Sequence, residues 1–139
     1  MNKLRLKDSD GFEKKSEGPL VSIVDDDVSV RRSTRRLLSS SSLRAEAFAS
    51  AEEFLQSGLV DETACLLLDV SMPGMNGLEL QRRLAETNRL IPIIFLSARA
   101  SEEEERRALR GGAADFLRKP VSKERLLQAI LAVLENKTN

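Results

Sequence analysis

Short apolar runs alternate along the chain with stretches of helical periodicity, and this alternation most limits the possible folds. Apolar runs of five or six residues bounded by turn residues are typical of buried strands. The predicted strands span residues 20–24, 43–48, 64–68, 91–96 and 113–117. The predicted helices span about residues 28–38, 51–57, 78–87, 102–110 and 123–134. This order predicts an α/β fold, a five-stranded parallel sheet with helices on both faces.

Polar side chains follow four of the predicted strands. Asp25 and Asp26 follow the first strand, Asp69 the third, Ser97 the fourth and Lys119 the fifth. Because right-handed crossovers bring the carboxyl ends of parallel strands to one edge, we expect these five side chains to converge. Open α/β sheets bind their ligands at that edge.

The chemistry of this set points to phosphoryl transfer. Three converging carboxylates repel one another unless a cation neutralises them, and Mg²⁺ prefers oxygen ligands. A lysine supplies fixed positive charge, and a hydroxyl can donate to a developing oxyanion. Phosphoryl transfer depends mostly on such positioning and charge neutralisation, and aspartyl phosphates are known intermediates. Taken alone, Asp69 would fit a turn residue better than a functional one, because aspartate is common in turns.

Composition excludes several other classes of function. The chain has 22 basic and 22 acidic residues and no histidine, which excludes histidine-based triads and zinc sites. Zero net charge argues against nucleic-acid binding by this chain alone. No apolar stretch has the length of a membrane span, so we expect no membrane partner. A single cysteine and the absence of a secretory signal predict a cytoplasmic protein.

The 139 residues fit one domain of ordinary size. Residues 1–18 are polar and charged and are predicted to form a flexible N-terminal leader. Residues 19–137 then form the folded domain.

Four motifs, each at a predicted strand end, give the chain a family resemblance. From residue 20 to residue 133 it resembles the receiver domains of two-component response regulators, most of all those of FixJ/NarL-type transcription factors. The motifs are residues 24–27 (VDDD), 68–77 (LDVSMPGMNG), 96–98 (LSA) and 119–120 (KP). The resemblance implies the flavodoxin-like (βα)5 receiver fold.

The resemblance also implies roles for the acidic residues. Asp69 corresponds to the phosphoacceptor. Asp26 corresponds to a direct Mg²⁺ ligand, and Asp25 to a residue that holds the metal mainly through water. The backbone carbonyl of Ser71 completes the metal site together with Asp69.

Further roles follow for residues of the last two strands. Ser97 and Lys119 correspond to the residues that contact the phosphoryl group, with serine in place of the commoner threonine. Pro120 corresponds to a proline preceded by a cis peptide bond. Phe116 corresponds to an aromatic switch residue that packs inward when Ser97 moves, although a plain core phenylalanine would have the same pattern.

The implied partners are a sensor histidine kinase and a second copy of the chain. The domain would be a signalling phosphoacceptor rather than an enzyme, and it would control transcription through a DNA-binding domain absent from this chain. A phosphorylation-dependent homodimer would use the 102–134 face. Its mixed charge suits a two-fold interface, although a solvated face fits equally well. Within it we predict i,i+4 ion pairs Glu102–Arg106 and Glu103–Arg107.

Two other interpretations keep part of the pattern. Residues 25–27 satisfy the Asp-x-Asp motif of haloacid-dehalogenase-type phosphatases, but the chain lacks a cap domain and the Asp69 loop would have no role. A pseudo-receiver would lack Asp69, the acidic pair or Lys119, and all are present. The receiver interpretation therefore explains more of the sequence than either alternative.

Overall fold

The computed structural model describes residues 18–137, and its sheet has the predicted architecture. Five parallel strands lie in the order β2-β1-β3-β4-β5. Their bounds are β1 Leu20–Val24, β2 Arg44–Phe48, β3 Thr63–Leu68, β4 Ile93–Ser97 and β5 Asp115–Arg118. The predicted α/β fold class is confirmed. The predicted leader lies outside the described residues except for Gly18.

Five helices cover the two faces of the sheet. They are α1 Val28–Ser40, α2 Ala51–Gln56, α3 Gly77–Glu86, α4 Glu102–Arg110 and α5 Lys123–Lys137. One core cluster joins the sheet to α2, α3 and α4 and contains Phe54, Leu80 and Phe95. The other joins it to α1 and α5 and contains Leu38 and Ile130. No helix within residues 18–137 is both long and apolar enough to cross a membrane.

Each of these five α-helices begins at a polar side chain that accepts a backbone hydrogen bond. Asp27, Ser50, Asn76, Ser101 and Ser122 each accept from an N–H two or three residues later. Such caps satisfy donors that the first helical turn leaves unpaired. At Asn76 and Ser101 the caps are capping boxes, since Glu79 and Glu104 accept in return from the N–H of the cap residue.

Two predicted features of the 102–118 region are wrong in detail. β5 begins two residues late, because Gly112 adopts φ +99° and the N–H of Ala113 still bonds to the carbonyl of Ala108. The predicted i,i+4 ion pairs of α4 are replaced by one acid that holds two arginines. Glu103 lies 2.9 Å from Arg106 and 3.4 Å from Arg110. These residues are three and seven positions away, on the same helix face.

The central strand β3 is buried along its whole length. It pairs with β1 on one side and β4 on the other. Cys65 lies within it with no exposed surface, and burial raises the pKa of its thiol to about 12. The strand that delivers Asp69 is therefore held in the most protected part of the sheet.

Candidate functional site

Three carboxylates meet at the carboxyl edge of the sheet because of the strand register. Val24 is paired with Leu68, so the next residues, Asp25 and Asp69, are neighbours. The N–H of Asp69 donates to the carbonyl of Val24 at 3.0 Å. Ligand oxygens of Asp25, Asp26 and Asp69 lie within 4.8 Å of one another. Asp25 and Asp69 are buried, whereas Asp26 is exposed.

Lys119, the residue that follows β5, also reaches the cluster, although it lies 94 residues after Asp25 in the sequence. Its Nζ donates to Asp25 Oδ2 at 2.8 Å, and its backbone N–H donates to the carbonyl of Ser97 at 3.0 Å. The Lys119–Pro120 peptide bond is cis, as the resemblance implied. The ion pair is largely shielded from water, since the side chains of Lys119 and Asp25 are 20% and 4% exposed.

The cluster carries more negative than positive charge. The pKa of Asp69 is raised, first by burial and then by the charge of Asp25, with a smaller contribution from Asp26. Lys119 and a hydrogen bond from the N–H of Ser71 at 3.3 Å act in the opposite direction without cancelling the shift. A cation placed among these oxygens would remove the repulsion.

An open cleft of about 490 Å³ gives access to this cluster. Its walls are formed by Asp25, Asp26, Asp27, Asp69, Ser71, Ala98, Arg99 and Lys119. Arg99 was missed by the sequence reasoning. Its position two residues after Ser97, in the loop that leaves β4, was the signal that could have found it.

Ser97 is the last residue of β4, and the next residue, Ala98, lines the cleft. Its side chain is fully buried, and its hydroxyl has no hydrogen-bond partner among residues 18–137. A buried hydroxyl without a partner is costly. The structure therefore places Ser97 beside the cleft with an unused donor.

Phe116 lies on the neighbouring strand with its ring stacked on Phe95, at 5.7 Å between centroids. The guanidinium of Arg118 lies 5.4 Å from the centroid of the Phe116 ring. Phe116 is buried and belongs to the core cluster of α2, α3 and α4. Its ring therefore already packs inward in this structure.

Comparison with known families agrees with this geometry. The model of the response regulator receiver domain matches residues 21–131. This chain belongs to the family of response regulator receiver domains, as its motifs predicted. Because the chain belongs to this family, the alternative of a haloacid-dehalogenase-type phosphatase is rejected.

Individual relatives extend the comparison. Nodulation protein W of Bradyrhizobium diazoefficiens is 45% identical over 125 residues, which cover 90% of this chain and 55% of that protein. Transcriptional regulatory protein TdiR of Thauera aromatica is 43% identical, over 82% of this chain and 50% of that protein. This chain therefore spans about half the length of these relatives.

A solved structure agrees on the type of receiver. The crystal structure of FixJ-N is 30% identical, with a TM-score of 0.77 over 86% of this chain and 95% of that one. The similarity to a FixJ receiver confirms the FixJ-type prediction.

Proposed function

We propose that this chain accepts a phosphoryl group on Asp69 from a sensor histidine kinase, in a step that depends on Mg²⁺. The observation that carries the proposal is the position of Asp69 among two further carboxylates and Lys119, facing an open cleft. Lysine and acids at a sheet edge match the requirements of phosphoryl transfer, which are positioning and charge neutralisation.

The donor set fits Mg²⁺. Its oxygens are close enough to share one ion, and such carboxylates are hard ligands of the kind that Mg²⁺ takes. Asp26, Asp69 and the backbone carbonyl of Ser71 would hold the ion directly, and Asp25 mainly through water. When bound, the ion would neutralise part of the charge on the carboxylates and on the phosphoryl oxygens.

The residues of the chain carry the covalent step. A carboxylate oxygen of ionised Asp69 attacks the phosphorus of the kinase phosphohistidine. The phosphorus–nitrogen bond breaks, and its electron pair stays on the histidine nitrogen. In the structure, the ammonium group of Lys119 donates to Asp25. During transfer it donates instead to a phosphoryl oxygen. Later attack of water on phosphorus restores the carboxylate and releases phosphate, which would end the signal.

The unused hydroxyl of Ser97 supports a link from this site to the output face. A phosphoryl group adds acceptor oxygens to the cleft, and Ser97 Oγ gains a partner if its loop moves inward. The movement vacates space beside β5, and the Phe116 ring, which already packs against Phe95, would shift further into it. Pairing a buried donor gives a bias of about 1–3 kcal/mol, enough to shift a balanced two-state equilibrium.

The proposed output is transcriptional control through a DNA-binding domain that this chain does not contain. TdiR, a named transcriptional regulator, is about twice as long as the matched segment. We propose residues 1–18 as a leader, residues 19–137 as the receiver, a cytoplasmic location, and phosphorylation-dependent dimerisation through the 102–134 face.

Labelling with acetyl phosphate and Mg²⁺ tests the proposal. The wild-type chain should take up one base-labile phosphoryl group, and Asp69→Asn should take up none. Asp61→Asn is a matched control, because Asp61 is an exposed acid paired with Arg89. Labelling of Asp69→Asn at the wild-type rate would exclude Asp69 as phosphoacceptor, and hydrolysis of many equivalents without a persistent phosphoryl label would indicate a phosphatase. Sedimentation with and without beryllofluoride, a phosphoryl mimic, tests dimerisation.

A further inference from the structure

The loop between β3 and α3 carries two of the proposed metal-binding groups, Asp69 and Ser71. Its ends are fixed by its own hydrogen bonds. The N–H of Gly77 donates to the carbonyl of Val70 at 2.9 Å, and Asn76 caps α3. In the middle of the loop, the N–H of Met75 donates to a side chain from a different element, Glu52 Oε2, at 3.1 Å.

Glu52 reaches the loop from α2, a helix that is fixed by its N-cap and by its buried side chains. It lies in the first turn of α2, where Ser50 accepts a hydrogen bond from the N–H of Glu53. Ala51 and Phe54 of the same helix are fully buried, and the Phe54 ring packs against Phe48 at 5.4 Å between centroids. The carboxylate of Glu52 is therefore anchored to the core through α2.

Gly74 is an independent sign that this contact is close. Its φ of +74° is one that residues with a side chain rarely adopt. A Cβ added at this position would lie 3.0 Å from Glu52 Oε2. Gly74 thus leaves room for the carboxylate of Glu52, and the N–H of the next residue, Met75, donates a hydrogen bond to it.

We propose that Glu52 is a positioning residue of the phosphoacceptor site, an inference that rests on the proposed function. Through the N–H of Met75 it holds the middle of the β3–α3 loop, so that the Ser71 carbonyl and the Asp69 carboxylate keep one relative geometry. When the contact is absent, the loop samples more conformations, and the divalent ion has to order it on binding. Glu52 itself touches neither the ion nor the phosphoryl group.

A pair of substitutions separates this role from a simple effect of charge. Glu52→Gln removes the negative charge but keeps a carbonyl oxygen that can accept from Met75. Glu52→Ala removes both. If Glu52 positions the loop, the Mg²⁺ affinity of the Gln variant stays near wild type, and that of the Ala variant falls about threefold to tenfold. If Glu52 acts through its charge, the two variants weaken Mg²⁺ binding equally.

The measurements are Mg²⁺ titration by calorimetry, hydrogen exchange of the Met75 amide, and the rate of labelling by acetyl phosphate as Mg²⁺ is varied, all on the full chain. For Glu52→Ala we expect faster exchange at Met75, a higher Mg²⁺ requirement and a labelling rate that recovers at saturating Mg²⁺. Glu86→Ala is the matched control, since Glu86 is an exposed acid near the end of α3. Gly74→Ala should weaken Mg²⁺ binding in the wild-type background and less in the Glu52→Ala background.

Two results would overturn the inference. One is equal Mg²⁺ affinity in the wild type and Glu52→Ala, measured while Met75 exchange rises. The other is equal loss in the Gln and Ala variants. Failure of the wild-type chain to bind Mg²⁺ or take up label would instead contradict the proposed function, so the two failures are distinguishable.

Discussion

Helices α3 and α4 are neighbours on one face of the sheet, yet they are attached in different ways. The ten-residue α3 buries half of its residues, namely Gly77, Leu78, Leu80, Gln81 and Leu84. The nine-residue α4 buries Ala108 alone. Apolar packing thus holds the helix that follows the Asp69 loop along half of its residues, but it holds the helix that follows Ser97 at a single residue.

Polar contacts at both ends of α4 replace the missing packing. Near its C-terminus, the buried side chain of Gln81 donates to the carbonyl of Ala108 at 2.9 Å. Near its N-terminus, Arg118 donates to Glu105 at 2.7 Å and to the carbonyl of Ala100 at 2.7 Å. Hydrogen bonds of this kind can be exchanged for others at small net cost. The difference between the helices would suit a fixed site beside a movable helix, in line with the output role proposed for the 102–134 face.

Arg118 is well placed to link these parts. It lies directly opposite Ser97 in the register of β4 and β5. Its guanidinium covers the Phe116 ring while bonding to the loop after Ser97. One side chain therefore contacts the proposed switch residue, the α4 helix and the segment between them.

The largest difference between the helices should appear when apolar side chains are shortened. Leu80→Ala in α3 should lower the free energy of unfolding by about 2–5 kcal/mol, because Leu80 is fully buried. Leu109→Ala in α4, where the side chain is 46% exposed, should change it by less than about 0.5 kcal/mol. Urea denaturation followed by circular dichroism measures both. Equal losses would mean that α4 is packed as tightly as α3.

The next effect concerns the buried amide that joins the helices. Gln81→Ala should cost about 0.5–1.5 kcal/mol, because the carbonyl of Ala108 loses its donor from α3 and keeps the one from the N–H of Ala113. Hydrogen exchange should quicken in α4 more than in α3. Arg82→Ala, at an exposed neighbouring position, is the control and should leave both helices unchanged. Faster exchange confined to α3 would contradict this account.

A smaller loss of stability is expected at the other end of α4. Arg118→Ala should lower the free energy of unfolding by about 1 kcal/mol or less, since its pair with Glu105 is partly exposed. Exchange should nevertheless rise in the first turn of α4 and stay constant in α3. Arg106→Ala removes a pair that lies wholly within α4 and should not reproduce this pattern. If it does, helix charge rather than the tie to β5 accounts for the effect.

The smallest expected effect is a dependence of the stability of α4 on pH. Hydrogen bonding from Arg106, helped by the charges of Arg106 and Arg110, lowers the pKa of Glu103 below its usual value of 4.5. A lowered pKa means that ionised Glu103 stabilises the fold above 4.5, and that this contribution is lost as the pH falls through the lowered value. Amide protection factors in α4 should therefore drop slightly on acidification through that range. Glu103→Gln should remove that part of the drop.

The sequence predicted the sheet, its strand order along the chain and the residues at its carboxyl edge. Those features depend on local patterns, namely apolar runs and the residue that follows each one. The contacts of Gln81, Arg118 and Glu52 were not predictable in the same way. Each joins elements distant in sequence through a side chain whose direction depends on the packed structure. The same limit explains the wrong ion pairs of Glu103, where helical spacing allowed several partners.

The burial and missing hydrogen-bond partner of the Ser97 hydroxyl could not be predicted from the sequence either. A serine after β4 predicts a donor at the sheet edge, but only the packed structure shows that the donor is buried and unpaired. The hypothesis of a Ser97–Phe116 switch thus came from the resemblance, and the structure adds the physical reason why Ser97 would gain from moving.

Cys65 gives the chain a built-in chemical probe of its own opening. Its thiol is buried in β3, and its raised pKa leaves almost no thiolate near neutral pH. An alkylating reagent therefore modifies the chain only when the central strand is exposed, so the modification rate follows the population of opened molecules. The chain has no other cysteine, and no tryptophan or tyrosine for fluorescence. Alkylation of this single atom can compare the stability of every variant proposed above, with and without Mg²⁺, without a label being introduced.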